Sequence, residues 1–401
     1  MGKFYLPEFA GPVHLPTIVP YVAILFWIGF ALTGMPFLTW VERVVIAFIQ
    51  DRSGPNRTGP RGLLQAVADG AKSFFKEDVT PKSEDAPIYY LAPMIAISTA
   101  LLAGATLPIH MFYFVKGAHL GQPYSFTGAP DSLLSVPFSA GNVNIGLLFV
   151  LGMSSLQAYG VVLAGWSSNN KYSLLGGLRA SAQLISYELA MGLSLLCVVV
   201  MAGSLQLDHI IQAQNQLPFP GAPEFLRGGF FSWYWIQSLF VPVIIYTIAM
   251  TAETNRAPFD LPEAEAELVA GFMTEYSSMK YAMFFISEYV AMMTVSCLNA
   301  TVFWGGTLPP LNILPFTLVP GIVWFIGKMF MGIFLFIWLR GTLPRLRYDA
   351  LMNLGWKKLL PAGLVWLFLL AGYSLARETF FPPATPAPTA QTRQVRTVTG
   401  R

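Results

Sequence analysis

A short polar stretch interrupts an otherwise apolar sequence of 401 residues and contains its densest set of ionisable groups. Residues 252–276 include six carboxylates and one arginine, and they lie between two apolar runs of membrane-spanning length. The carboxylates are Glu253, Asp260, Glu263, Glu265, Glu267 and Glu275. Six like charges over 23 residues repel one another, which favours protonation of some of them. Groups that titrate near neutral pH are what proton handling requires, so this stretch is a candidate proton-handling site.

Part of this charge has a simpler explanation. Pro262 precedes a run of good helix formers, which indicates a helix start, where acidic side chains suit the helix dipole. That explanation does not account for Glu253, at the inner end of one apolar run, or for Glu275, before the next run. Both interpretations remain open for the glutamates that follow Pro262.

Ionisable side chains also occur inside or at the edge of the apolar runs. They are Glu188, Glu253, Glu288 and Lys328. An ionised side chain at mid-bilayer costs about 2.5–3.5 kcal/mol or more, so we expect these residues to face the protein interior. They either form internal salt bridges with a structural role or provide proton-accepting sites that lead into the membrane. In the second case we expect Lys328 to have a glutamate partner.

A second polar region follows the first apolar run. Glu42 and Arg43 end that run, and neighbours on a helix do not face the same way, so one can reach the headgroups while the other faces a cavity. The next loop, residues 54–62, is rich in Gly and Pro but lacks the spacing and lysine of a phosphate-binding loop. Apolar residues at helical spacing over 63–75 then predict a short amphipathic helix, which lies at the membrane surface or only covers the bundle.

The composition indicates what holds these groups in place. The chain is 54% hydrophobic and only 11% charged, whereas an average soluble protein has about 25% charged residues. Repeated apolar runs of about 20 residues predict one polytopic membrane domain, in which helices satisfy the backbone. We predict an all-α bundle of about eight transmembrane helices, with short amphipathic helices in the inward loops. The spans are predicted at 20–48, 87–110, 144–166, 181–203, 236–254, 278–303, 317–340 and 359–376.

Basic residues set the expected orientation. If the N-terminus faces outward, 16 of the 24 Lys and Arg residues lie in inward segments. The positive-inside rule therefore predicts that both termini face outward and that the acidic stretch is cytoplasmic in a bacterium. The predicted transmembrane domain covers 1–380, with inward loops at about 49–86 and 255–277. The Pro-, Thr- and Ala-rich segment 381–401 is predicted to be a disordered tail.

No motif for a redox centre is found in the chain. Cys197 and Cys297 both lie in apolar runs, and no histidine has a second ligand at a haem- or zinc-like spacing. We therefore expect no bound metal or flavin in this chain. If the protein takes part in redox chemistry, the electrons must come from another subunit.

The polar motifs resemble those of a known family along nearly the whole chain, up to about Gly372. Residues 42–77 resemble the first signature of the H subunit of respiratory complex I, a proton-translocating NADH:quinone oxidoreductase. Residues 252–276 resemble its second signature. Ala66 and Pro262 depart from the usual residues, but neither change removes a charged group. Further matches occur at 164–169, 171–173, 179–188 and 340–349.

The resemblance implies a membrane subunit at the junction with the peripheral arm of the complex. Such a subunit forms much of a quinone-binding chamber and couples quinone reduction to proton translocation. The implied substrate is ubiquinone or menaquinone. The implied partners are the peripheral-arm quinone-module subunits at the inward face, small membrane-arm subunits in the bilayer and membrane lipid, and no nucleic acid. The implied location is the bacterial inner membrane.

The resemblance also implies roles for particular residues, although no complete active site is expected in this chain alone. The carboxylates implied in proton coupling are Glu188, Glu253, Asp260, Glu263, Glu265, Glu267, Glu275 and Glu288. Lys328 joins this set because of its position within a predicted span. The residues implied at the quinone chamber are Glu42, Arg43, Gln50, Arg52, Arg57, Arg61, Asp69, Arg256, Phe259 and Phe272.

Three alternatives stay open at this stage. A membrane anchor of a related quinone-independent complex, such as a membrane-bound hydrogenase, would share the acidic loop. The peripheral subunits that co-purify would separate the two. A stand-alone ion transporter is disfavoured because no inverted repeat is visible. A purely structural anchor would leave the carboxylates within the spans without a purpose.

Overall fold

Long apolar helices dominate the part of the chain that the computed structural model describes. That part comprises residues 15–82, 84–108, 114–115, 133–134, 143–215, 226, 228–237, 239–260, 270–311, 313, 316 and 319–380. Glu263, Glu265 and Glu267 of the acidic stretch lie outside it, as does the predicted tail at 381–401.

Seven helices in the described residues are long and apolar enough to cross a membrane. They are α1 (Leu15–Ile49), α3 (Ala86–Ala105), α4 (Gly146–Ser167), α5 (Lys171–Ala202), α9 (Ser278–Phe303), α10 (Gly321–Thr342) and a continuous run of α11 (Tyr348–Leu354), a π-helical segment (Gly355–Leu359) and α12 (Leu360–Phe380). A helix bonds its own backbone groups, which a lipid environment requires. The prediction of a polytopic all-α membrane protein is confirmed.

The predicted span at 236–254 is shorter than expected. A four-residue helix, α7 (Tyr234–Gln237), precedes it, and α8 (Phe240–Glu253) has 14 residues. At 1.5 Å per residue α8 is about 21 Å long, less than the roughly 30 Å of a bilayer core. Pro242 lies in the first turn of α8, where its missing N–H costs nothing, so this residue favours a helix start there rather than at 236.

The span predicted at 181–203 begins ten residues earlier, at Lys171. The side-chain oxygen of Asn170 accepts a hydrogen bond from Tyr172 N at 3.0 Å and caps the helix. Its first turns contain Gly176 and Gly177, and a Cβ on Gly176 would lie 2.6 Å from Gly271 Cα. The glycines that weaken the sequence signal are therefore needed for close packing.

Shorter elements occupy the connections. The predicted amphipathic helix is present as α2 (Gln65–Phe75), and Phe74 and Phe75 on it are exposed. α6 (Leu207–Gln214) follows the C-terminal end of α5. Three-residue 3-10 turns occur at Pro60–Gly62, Phe230–Ser232 and Gly271–Met273. A two-residue antiparallel pair joins β1 (Phe114–Val115) to β2 (Leu133–Leu134), with Phe114 opposite Leu134.

The most buried of the seven long helices is α9. Of the 18 consecutive residues of α9 with the highest mean hydropathy, 67% are buried, whereas the corresponding buried fraction in the other six helices ranges from 17% to 50%. α9 packs against α1, α3 and α10. A polar residue on α9 therefore meets protein rather than lipid, and this placement allows α9 to contribute charged groups to the interior.

Candidate functional site

A buried carboxylate on α1 is surrounded by polar groups from three other parts of the chain. Oε1 of Glu42 lies 3.7 Å from Nη1 of Arg256, in the turn after α8. Arg340, near the end of α10, contacts the same oxygen. Tyr289 of α9 donates a hydrogen bond to Oε2 of Glu42, with the two oxygens 2.5 Å apart. Two cations and a hydroxyl thus compensate the burial of this carboxylate.

Arg256 links Glu42 to a second carboxylate. Its Nη2 lies 3.6 Å from Oε2 of Glu288 on α9, and its guanidinium carbon lies 4.3 Å from the centre of the Tyr289 ring. Asn255, just before it, adopts a left-handed conformation with φ of 50°, which asparagine tolerates better than most residues. This turn brings Arg256 back against α9. The structure therefore joins a residue predicted at the quinone chamber to one predicted in proton coupling.

Glu42 and Arg43, which are neighbours near the end of α1, point in different directions. Glu42 is 6% exposed, whereas the side chain of Arg43 is 50% exposed. Arg43 Nη1 lies 2.6 Å from Oδ2 of Asp69 on α2. The ion pair connects α1 to the amphipathic helix, while Glu42 connects α1 to the interior of the bundle.

The segment that follows α8 is held against α5 and the chain after α10. Gln183 on α5 donates hydrogen bonds from Nε2 to the carbonyl oxygens of Ala252 at 2.7 Å and Phe259 at 2.8 Å. Asp260 is buried, and its Oδ2 lies 3.1 Å from Nη2 of Arg345. These contacts hold the backbone immediately before the acidic residues 263–267.

A small cavity with both polar and apolar lining residues lies beside the Arg256 cluster. Glu253 and Glu288 line it together with Gln157, Asn255 and the aromatic wall of Phe272. It leaves about 30 Å³ for the centres of water molecules, which is enough for one or two waters. The cavity thus has two carboxylates in its wall, and a cavity inside the protein is where intramembrane acids are tolerated.

A third carboxylate lies nearby on α5. Ser155 of α4 donates a hydrogen bond to Oε1 of half-buried Glu188. Oε2 of Glu253 is buried and has no hydrogen-bond partner among the described residues. A buried carboxylate oxygen without a donor is unfavourable unless the group is protonated, which makes Glu253 a candidate proton carrier.

The remaining predicted residues lie elsewhere. Gln50, Arg52, Arg57 and Arg61 are exposed, and Arg52 Nε donates a hydrogen bond to Gln50 Oε1 at 2.7 Å. Glu275 accepts a hydrogen bond from Asn170 Nδ2 at 2.6 Å, before the start of α9. Most of the predicted site residues that the structure describes therefore lie in one of three places: the interior cluster around Arg256, the cavity beside it, or the exposed loop after α1.

A glutamate partner of Lys328, which a relay role would need, is not found among the described residues. Nζ of Lys328 donates hydrogen bonds to the carbonyl oxygens of Gly306 at 2.8 Å and Leu308 at 2.7 Å. It also lies 4.0 Å from the centre of the Trp233 ring. Along α10, Lys328 is about 18 Å from Arg340, so it belongs to the opposite end of the bundle.

Three residues of the site are not predicted from the sequence. Tyr289 and Gln183 are polar side chains within apolar helices, and burial of such groups is favourable only with a hydrogen-bond partner, which is the available signal. Arg340 lies in the segment 340–349 that resembles the family, but the sequence gives it no role beyond positive-inside anchoring or a docking surface for a soluble partner. The structure shows that it also neutralises Glu42.

Comparisons with known proteins agree with these observations. The NADH dehydrogenase family model matches residues 22–371. The chain belongs to this family. The predicted resemblance is confirmed, and so is the prediction that the chain is a subunit of an oxidoreductase complex.

Individual relatives cover nearly the whole chain. The H subunit of the NADH-quinone oxidoreductase of Rhodospirillum rubrum is 41% identical over 92% of this chain and 97% of the relative. The H subunit from Magnetococcus marinus is 45% identical over 92% of this chain and 94% of the relative. An H subunit from Koribacter versatilis, the one numbered 2, is 44% identical over 90% of this chain and 98% of the relative. The chain is therefore a multi-pass membrane member of this family that works with other subunits.

Proposed function

We propose that the chain forms much of the quinone-binding chamber of a proton-pumping NADH:quinone oxidoreductase and couples quinone reduction to proton translocation. The observation that carries the proposal is Arg256, which links Glu42 to Glu288 beside a cavity lined by a further acid, Glu253. One cation thus connects the predicted chamber to the predicted proton-coupling residues.

The chemistry of quinone reduction explains how the contacts of Arg256 with Glu42 and Glu288 would act in coupling. A quinone takes up two electrons and two protons to become a quinol, and negative charge arises before the protons arrive. The electrons would come from another subunit, since this chain has no motif for a redox centre. Transient negative charge in the chamber attracts Arg256 and weakens its interaction with Glu42 and Glu288. Weaker pairing favours proton uptake by these carboxylates, which couples the two events.

The surroundings of the cluster suit a quinone. Phe259 and Phe272 provide aromatic surface near the buried charges, and apolar sites between helices accommodate an isoprenoid tail. In this proposal α2 and the loop with Gln50, Arg52, Arg57 and Arg61 form the entrance and wall. The Arg43–Asp69 pair holds α2 to α1.

We further propose that the protein lies in a bacterial inner membrane with both termini outward. The excess of basic residues in the inward loops supports this orientation. The inward face then receives the quinone-module subunits of the peripheral arm, while small membrane subunits and lipid cover the apolar outer faces. The substrate is ubiquinone or menaquinone, and the chain itself holds no metal or flavin.

The decisive experiment uses the intact complex, isolated from membranes and reconstituted into liposomes. NADH oxidation, quinone reduction and proton uptake are measured on the same preparation, and we expect all three. An assembled complex that reduces no quinone, as expected of a hydrogenase-type anchor, contradicts the proposal. Transport by the isolated chain alone would instead favour an ion transporter.

The coupling part of the proposal has its own test. Changing Glu263, Glu265 and Glu267 together to Gln removes charge without changing size, and we expect coupled quinone reduction to be crippled. Glu77→Gln is a matched control, because Glu77 is an exposed glutamate outside the acidic stretch. Normal turnover and pumping by an assembled triple variant contradict a role in coupling.

A further inference from the structure

A polar junction joins the linker after α2 to the start of α9. Nζ of Lys280, on the first turn of α9, lies 3.0 Å from Oδ1 of Asp78. The same ammonium lies 4.8 Å from the ring centre of Tyr89 and 4.6 Å from that of Tyr90, on the first turn of α3. Backbone N–H of Val79 donates a hydrogen bond to Ser277 Oγ at 2.9 Å. Lys280 therefore stands where three elements meet.

A second set of contacts reinforces this junction. Tyr89 OH donates to the carbonyl oxygen of Glu275 at 2.7 Å, and Tyr276 OH donates to that of Tyr89 at 3.2 Å. The two tyrosine rings are stacked with centres 4.2 Å apart. Burial raises the pKa of Tyr276 to about 12, so its hydroxyl keeps the proton it donates. Ser278 Oγ lies 3.0 Å from the carbonyl oxygen of Ser73, in the last turn of α2.

The junction closes a triangle of helices around the proposed chamber. One polar contact joins α1 to α2, one joins α1 to α9, and one joins the end of α2 to α9. The three contacts are Arg43–Asp69, Glu42–Tyr289 and Asp78–Lys280. Glu288 and Tyr289 lie about 12 Å along α9 from Lys280, so the helix that begins at the junction carries the interior cluster.

The type of residue at 280 is informative because packing does not require a cation. The side chain of Lys280 is 8% exposed, whereas that of Asp78 is 48% exposed. A buried ammonium is unfavourable without compensation, and an apolar side chain of similar length would fill the same space. A lysine there adds the ion pair to Asp78 and the attraction to two tyrosine rings. The ion pair holds the linker after α2, and the ring contacts hold the start of α3, so neither interaction serves the core of α9.

We propose that Lys280 is a positioning residue for quinone reduction. It holds the linker after α2 against the start of α9, so that the distance between α2 and α9 at the chamber stays fixed. This inference rests on the proposed function, because it assumes that the triangle surrounds a quinone.

The test compares Lys280→Met, Lys280→Arg, Asp78→Asn and the double variant K280M/D78N in the intact complex. We expect the KM for a short-chain quinone to rise about tenfold in Lys280→Met with a smaller change in kcat, since misplaced binding elements act at this scale or above. Lys280→Arg keeps the charge and the ring contacts, so it should restore most of the affinity. The double variant should be no worse than Lys280→Met, because both changes break one interaction.

A matched control is Lys171→Met. Lys171 is an exposed lysine whose Nζ lies 5.2 Å from the ring of Tyr172, but it has no ion pair among the described residues. We expect its KM to be unchanged. NADH oxidation with an artificial electron acceptor, which bypasses the quinone, reports assembly in every variant.

The outcomes separate this inference from the proposed function. A Lys280→Met complex with wild-type KM, or with a loss of assembly that Lys280→Arg shares, overturns the positioning role and leaves the proposed function intact. If the wild-type complex reduces no quinone, the proposed function itself fails. A raised KM that the arginine variant corrects supports both.

Discussion

A buried lysine and a half-buried lysine at opposite ends of the bundle are stabilised in different ways. Lys280 faces a carboxylate, Asp78, and two tyrosine rings. Lys328 donates hydrogen bonds to two backbone carbonyl oxygens and lies over Trp233, with no carboxylate partner among the described residues. Both arrangements compensate the withdrawal of an ammonium group from solvent.

The difference shows which end of the molecule can respond to charge. A carboxylate can gain or lose a proton, so a cluster of acids and bases changes its interactions when a charge appears nearby. A backbone carbonyl keeps its dipole throughout. The end with Glu42, Arg256 and Glu288 is therefore suited to coupling, whereas the end with Lys328 is suited to holding a loop in place.

The largest effect is expected from Arg256→Met. The change leaves Glu288 without this cation and Glu42 with Arg340 only, and breaking a buried ion pair typically costs about 3–5 kcal/mol. We expect NADH:quinone turnover per assembled complex to fall by more than about tenfold. Lys at the same position should recover part of the rate, since it keeps the charge but not the planar fork. Turnover within about twofold of wild type would refute the role of Arg256 as the link.

The next largest effect is expected from neutralising the two acids of the cavity. Glu253→Gln with Glu288→Gln keeps the side-chain volume but removes the two ionisable groups in the cavity wall. We expect proton pumping and turnover to fall about tenfold, which is below the roughly 10²–10⁴-fold loss typical when a proton-transfer group is removed. Gln157→Leu removes a polar wall of the same cavity without removing an acid, and it should retain pumping. Equal losses in both variants would indicate that shape rather than titration matters.

A smaller effect on a different quantity is expected from Lys328→Met. Two buried carbonyl oxygens lose their donor, which costs about 1–3 kcal/mol. We expect the thermal midpoint of the complex to drop by a few degrees, while turnover and pumping per assembled complex stay near wild type. A fall in protons pumped per electron at normal stability would instead support the predicted proton-coupling role of Lys328.

The smallest effect is expected from the Arg43–Asp69 pair. Arg43 is half exposed, and such pairs contribute about 0–1 kcal/mol. Asp69→Asn should therefore raise the KM for quinone only a few-fold, and the difference from wild type should shrink at high salt. A large, salt-independent loss would show that Asp69 has a role beyond holding α2 to α1.

The architecture could be predicted because lipid imposes simple rules. Apolar runs of about 20 residues are recognisable in the sequence, and all seven long helices occur where such runs are found. The errors came from local features that packing overrides. Gly176 and Gly177 weakened the prediction at the start of α5, and Pro242 shortened α8.

The identity of the ionisable groups could also be predicted, since acids within apolar runs are expensive and therefore conspicuous. Glu253 and Glu288 are identified in this way, Glu42 is noted at the end of the first apolar run, and the family resemblance gives Glu42 and Arg256 their expected place at the chamber. Which of them meet could not be predicted. Glu42 and Tyr289 are 247 positions apart in the chain, and only the packing of α1 against α9 brings them to 2.5 Å.

Sequence and tertiary structure thus contributed different kinds of information. Hydropathy and charge depend on the residue types alone, so they were sufficient for the membrane class, the long helices and the candidate acids and bases. Pairing depends on distances between helices that are remote in sequence. Only the folded structure could decide that Arg256 joins two carboxylates, that Lys280 fastens the linker after α2, and that Lys328 is held by backbone carbonyls instead of a glutamate.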